Sequence, residues 1–219
     1  MFTAVLRGLA AVSLAALPLA VIPPAHAAET LPLAEAVAGL PVDVENRDGY
    51  TRDAFRHWNA GDDPADGCNT RSEVLISEAV EPPTVGPGCR LTGGTWWSYY
   101  DQTWVTSASG LDIDHMVPLA ESWDSGASAW TAKRREAYAN DQGSPTSLVA
   151  VTARSNRSKA DHDPAKWLPP AAEVHCRYVA EWVGTKLRWA LTVDEIEVAV
   201  LRDAAAGCPE QTVTYEPAV

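Results

Sequence analysis

The clearest periodicity lies in the last third of the chain, where Val179, Val183 and Leu187 recur every four residues beside Tyr178 and Trp182. An apolar stripe at that spacing covers one face of a helix, which predicts an amphipathic helix over about 171–190. Thr192 followed by Glu195 has the form of a capping box and opens a second helix, with Gly207 as its C′ residue. The short link between them makes an antiparallel helical hairpin. Upstream the pattern changes. Leu148 to Thr152 is a β-branched apolar run and reads as a strand, as does Leu111 to Val117, closed by Pro118. Gly93-Gly94 between two β-forming runs predicts a β-hairpin. Residues 128–139 read as a helix with Ser128 as its cap, and a short basic helix over about 153–160 precedes the Asp163-Pro164 break. From Gly49 to about Val80 short helical pieces are expected, the second capped by Asn69 or Thr70. Residues 81–88 form a loop by their Pro and Gly content, and 28–48 a loosely packed lead-in arm.

The first 27 residues have the layout of an export signal. Arg7 supplies the positive region, Gly8 to Ile22 is uncharged and mostly apolar, and Ala25-His26-Ala27 is an A-x-A cleavage site. A run of about 15 apolar residues is shorter than the roughly 20 a membrane span needs, so cleavage after Ala27, secretion and a mature chain without a membrane anchor are expected. Beyond the arm, residues 49–219 read as one domain, and a monomer is expected. Cys68, Cys89, Cys176 and Cys208 are an even set in an exported chain, which favours disulfides over thiols. The helical hairpin puts Cys176, one turn into its first helix, beside Cys208, just past the end of its second. Cys176–Cys208 is therefore the expected pair, leaving Cys68–Cys89.

Charge narrows the function classes. The 219 residues hold 29 acids and 17 bases, a formal charge of -12, which argues against a sequence-independent nucleic-acid coat. Over residues 131–166 the balance reverses, with seven bases against four acids, and this is where a polyanion could dock. Nine Trp, all beyond residue 57, leave open a second class: an exported Trp-rich domain that binds glycans or cell-wall polymer by stacking on an inactive fold.

Candidate chemistry concentrates at His115. His57 and His175 have the surroundings of packing or surface residues, and His162 lies in a polar loop start. His115 stands in Leu111-Asp-Ile-Asp-His-Met-Val-Pro-Leu119, where strand alternation puts Asp112 and Asp114 on one face. Two carboxylates in a short apolar strand are costly to bury unless they are paired or bind a cation. Forty-one positions after His115 comes Asn156, in the helix opening Arg154-Ser-Asn-Arg-Ser-Lys159.

A strand with Asp-His, then a second strand, then a helix with Asn-Arg-Ser-Lys resembles the ββα-metal fold of HNH endonucleases. The stretch from Asp112 to Leu119, with Asn156 to Asp161 and Asp163-Pro164 to Trp167, looks in particular like secreted bacterial HNH-family proteins related to the C-terminal domain of GmrSD-type restriction enzymes. The resemblance implies an α+β fold: a ββα core over 111–167 with a β-hairpin and the C-terminal helical hairpin. It implies an endonuclease that hydrolyses phosphodiester bonds of DNA, or RNA, with low sequence specificity and one divalent ion, Mg²⁺ or Mn²⁺. His115 would be the general base, Asp114 and Asn156 would hold the ion, and Arg154, Arg157 and Lys159 would contact phosphates. The middle residue of the HNH triad stays open. Ser147 stands before Leu148 where many relatives carry Asn, and Asn140, which can also serve as a helix C-cap, is the alternative.

Overall fold

A computed structural model describes residues 27–218; the export signal, apart from Ala27, lies outside the described residues. In chain order the elements are β1 (Glu29–Pro32), α1 (Leu33–Ala38), α2 (Thr70–Ser77), β2 (Thr84–Gly86), β3 (Arg90–Thr92), β4 (Trp96–Ser98) and β5 (Thr103–Val105). They continue with β6 (Leu111–His115), α3 (Leu119–Asp124), α4 (Ala132–Ala139), β7 (Leu148–Thr152), α5 (Ala153–Lys159), α6 (His175–Trp189), α7 (Glu195–Gly207) and β8 (Thr212–Tyr215). Among the described residues, helices and four small antiparallel sheets make this an α+β protein.

The candidate site is built on the ribbon of β6 and β7, in which Asp114 faces Val149 and His115 faces Leu148. A two-stranded ribbon is marginal by itself. Here it is covered on both sides. Val149 and Val151 enter the main core with Tyr178, Trp182 and Val183 of α6. Leu111, Ile113, Leu148 and Ala150 pack with Val74 and Leu75 of α2 and with Trp96. Burial on both faces explains why β7 reads as a continuous apolar run rather than an alternating one. Asn69 caps α2 by accepting from Ser72 N, as its position predicts.

The C-terminal helices pair as the periodicity requires. Cys176 at the start of α6 is bonded to Cys208 at the end of α7, with Cα atoms 5.7 Å apart, and Cys68 to Cys89, with Cα atoms 4.9 Å apart. The cap of α7 differs from expectation. Asp194, not Thr192, accepts from Ile196 N and Glu197 N, and the helix runs through Gly207 to end at Cys208. A carboxylate next to the first turn outcompetes a hydroxyl two residues earlier. Lys186 of α6 is fully buried and ties three helices together. Its ammonium donates to Glu121 of α3 at 2.9 Å and to Glu197 of α7 at 2.7 Å.

Other expectations are corrected. The lead-in is no loose arm, because β1 pairs with β8 and α1 buries Leu33, Ala36 and Val37 in the main core. Gly93-Gly94 is not a hairpin turn. β3 pairs with β2 inside the supposed loop 81–88, and β4 pairs with β5, so the two glycines, both at positive φ, link separate hairpins. The helix placed at 128–139 begins only at Ala132, where Thr131 accepts from Arg134 N. The strand placed at 111–117 ends at His115 and leads, past Pro118, into α3.

Candidate functional site

Three segments converge at the end of β6. β7 runs straight into α5, whose start is held by Thr152: its hydroxyl oxygen accepts from Ser155 N and donates to Asp101. This junction lays α5 along β6. Asn156 Nδ2 donates to Asp112 Oδ2 at 3.4 Å, Arg157 Nε lies 3.4 Å from the same oxygen, and Lys159 Nζ donates to Asp114 Oδ2 at 2.5 Å. The alternation read from the strand is thus realised, with Asp112 and Asp114 both turned to α5 and Ile113 to α2.

His115 is fixed from several sides. Its Nε2 lies 2.9 Å from the main-chain oxygen of Ala139, which can only accept, so Nε2 carries the proton and Nδ1 the lone pair. Trp58 stacks on the imidazole at 5.4 Å between centroids, and Trp58 itself sits at φ +58°, a costly conformation for a bulky residue. The Ala139 carbonyl is placed by its neighbour. Asn140 Oδ1 accepts from Asn59 N and Thr70 Oγ1, each at 3.0 Å, while its Nδ2 donates to the carbonyls of Arg56 and Glu136, each at 2.8 Å. Between the two candidates for the middle position, it is therefore the segment of Asn140 that touches the imidazole. Its side chain does not line the cleft and acts on His115 only through Ala139. Ser147 instead donates to Asp141 and offers its carbonyl to Met116 N, closing the end of the ribbon.

A cleft of about 180 Å³ is lined by Asp114, His115 and Asn156 together with Arg52, Arg157 and Asp161. Burial pushes the His115 imidazolium down to about 3, with the charge of Arg52 adding to the effect, so the ring is neutral at physiological pH. Burial also raises the Asp114 carboxyl and lowers the Lys159 ammonium, each opposed by the attraction of the other. The donor set suits a hard divalent ion. Asp114 and Asn156 both border the cleft; among the described residues Asp114 Oδ1 accepts no hydrogen bond, and Asn156, whose amide nitrogen is spent on Asp112, keeps its oxygen for a ligand.

The basic cluster is thinner than the sequence count. Lys159 does not contact phosphates: it is 0% exposed, and its ammonium donates to Asp114 and to the carbonyls of His115 and Met116. Arg134 stacks on Trp130 and Trp189, Arg135 donates to main-chain carbonyls, and Lys166 pairs with Asp163. Arg154 is exposed but does not border the cleft, whereas Arg157 does. Arg52, Trp58 and Tyr100, whose hydroxyl donates to Asp114 Oδ2 at 2.6 Å, escape a reading by motif because each lies on another segment. The spacing of Asn156 and Lys159, on one face of a helix, is the signal that could have drawn Lys159 inward.

Two other features compete less well. Carboxylate oxygens of Glu45, Glu121 and Asp124 lie within 4.8 Å of one another, but Lys186 neutralises Glu121 and Arg47 neutralises Asp124. The Trp-rich surface reduces to one pair, Trp97 and Trp104, 39% and 59% exposed; the other seven Trp are buried or partly buried.

A family model described as the C-terminal domain of GmrSD restriction endonucleases matches residues 91–203. A protein of Arthroderma benhamiae described as an uncharacterized secreted protein is 38% identical over 188 residues, covering 85% of this chain and 87% of that one. No solved structure matches.

Proposed function

The chain belongs to the family of C-terminal domains of GmrSD restriction endonucleases, and from that premise we propose that it is a secreted endonuclease hydrolysing phosphodiester bonds of DNA, or RNA, with one divalent ion, Mg²⁺ or Mn²⁺. The observation that carries this reading is the meeting of Asp114, His115 and Asn156 in one cleft although 41 residues separate the last two. Export is supported by the secreted relative and by two disulfides.

In this reading Nδ1 of His115, neutral and oriented by Ala139, takes a proton from the attacking water. Asp114 and Asn156 hold the ion, which when bound supplies charge neutralisation at the phosphate and the leaving oxygen. Arg52 and Arg157, which both line the cleft, bind phosphate oxygens. Trp58 stacks on the base and limits its access to bulk water. The test is nicking of supercoiled plasmid by the purified protein. Mg²⁺ or Mn²⁺ should support it, EDTA should stop it, and His115→Ala should abolish it in a folded protein. Undiminished nicking by His115→Ala would remove the base from the mechanism.

A further inference from the structure

We propose that Lys159 and Tyr100 are positioning residues for the ion: together they occupy Oδ2 of Asp114 and present Oδ1 to the cleft as a single hard ligand whose charge is already partly compensated. The inference rests on the proposed function, in which an ion binds at Asp114.

Lys159 has three protons, and the structure uses all of them. One goes to Asp114 Oδ2 at 2.5 Å, one to the His115 carbonyl at 3.0 Å and one to the Met116 carbonyl at 2.7 Å. The ammonium is thereby anchored to the end of β6, the strand that carries its carboxylate partner. Tyr100, 0% exposed, adds its hydroxyl to the same oxygen at 2.6 Å. With Oδ2 held twice, the carboxylate is fixed at one oxygen, and among the described residues Oδ1 is the oxygen left without a hydrogen bond.

Stability alone does not call for this arrangement. Replacing a buried ion pair by apolar side chains of similar size is often neutral or stabilising. A mobile carboxylate, by contrast, would offer an ion two oxygens in varying geometry. The net charge of the donor set points the same way. Asp114 is neutralised by Lys159, Asp112 is taken by Arg157 and Asn156, Asp161 lies 3.6 Å from Arg47, and the Asn156 amide is uncharged. Such a set holds an ion weakly until the substrate phosphate adds its own oxygens, the manner in which Mg²⁺ is commonly bound.

The experiment measures Mn²⁺ binding to the secreted protein by electron paramagnetic resonance of the free ion, alongside near-UV circular dichroism and binding of a short DNA duplex in EDTA. Tyr100→Phe and Lys159→Met should each bind Mn²⁺ more weakly, by roughly ten-fold to a hundred-fold. Duplex binding in EDTA should stay at the parent value, and added Mn²⁺ should restore cleavage to Tyr100→Phe but not to His115→Ala. Parental Mn²⁺ affinity in folded Tyr100→Phe would overturn the positioning role; should Lys159→Met not fold, Tyr100→Phe decides. If the parent binds no Mn²⁺, or Asp114→Asn binds it equally well, the ion reading itself fails, and the inference with it.

Discussion

The main-chain oxygen of Ala139 accepts from His115 Nε2 across 24 residues, and Asn140, the next residue, is clamped by three hydrogen bonds to other segments and one to Glu136 of its own helix. The orientation of the His115 imidazole is therefore set by a residue that never touches it. Asn140→Ala should leave the imidazole present but loosely aimed. A small misplacement at a reacting group can cost about a hundred-fold in rate, so a loss of roughly ten- to a hundred-fold in kcat is expected. Initial nicking rates, with Mn²⁺ affinity measured in parallel and expected unchanged, check this.

Arg52 and Arg157 border the cleft while Arg154 does not. Replacing either cleft arginine by alanine should weaken nucleic-acid binding at all sequences and lower the slope of log affinity against log salt by about one. Arg154→Ala should leave that slope at the parent value. A salt titration of duplex binding separates the three variants.

Glu78 caps the end of α2 and accepts from Ala150 N of β7 at 2.8 Å, yet burial raises its carboxyl to about 7. The folded protein thus holds a proton that the unfolded chain, with an ordinary carboxyl near 4.5, has released. Between those values the native state binds more protons, so stability falls as pH rises from about 4.5 to about 7. Glu78→Gln keeps an acceptor for Ala150 N without the charge. Urea midpoints at pH 5 and pH 8 should therefore differ less in this variant than in the parent, and an equal difference would exclude Glu78 as the source.

Lys186 is buried between Glu121 and Glu197. Lys186→Met strands two carboxylates in the core and should cost about 3–5 kcal/mol of stability. The triple variant Lys186→Met, Glu121→Gln, Glu197→Gln should recover a large part of that loss. Equilibrium unfolding measures both.

The amino-acid sequence by itself determined the features that depend on neighbours along the chain. β7 is found at Leu148–Thr152, α5 is bounded to within one residue, and Asn69 caps α2, because backbone preference and capping are local. Asp114, His115 and Asn156, grouped from the sequence through the resemblance to HNH endonucleases, border one cleft. Tertiary structure decided what each charge and each strand would meet. Lys159 reads as a phosphate contact until β6 supplies a carboxylate and two carbonyls beneath it. Gly93-Gly94 reads as a hairpin turn until β3 takes β2 for its partner and β4 takes β5. Trp58 stacks on His115 and Arg52 borders the same cleft, each from more than 50 residues away, and no local pattern encodes a meeting whose two halves are joined only by the packing of the whole core.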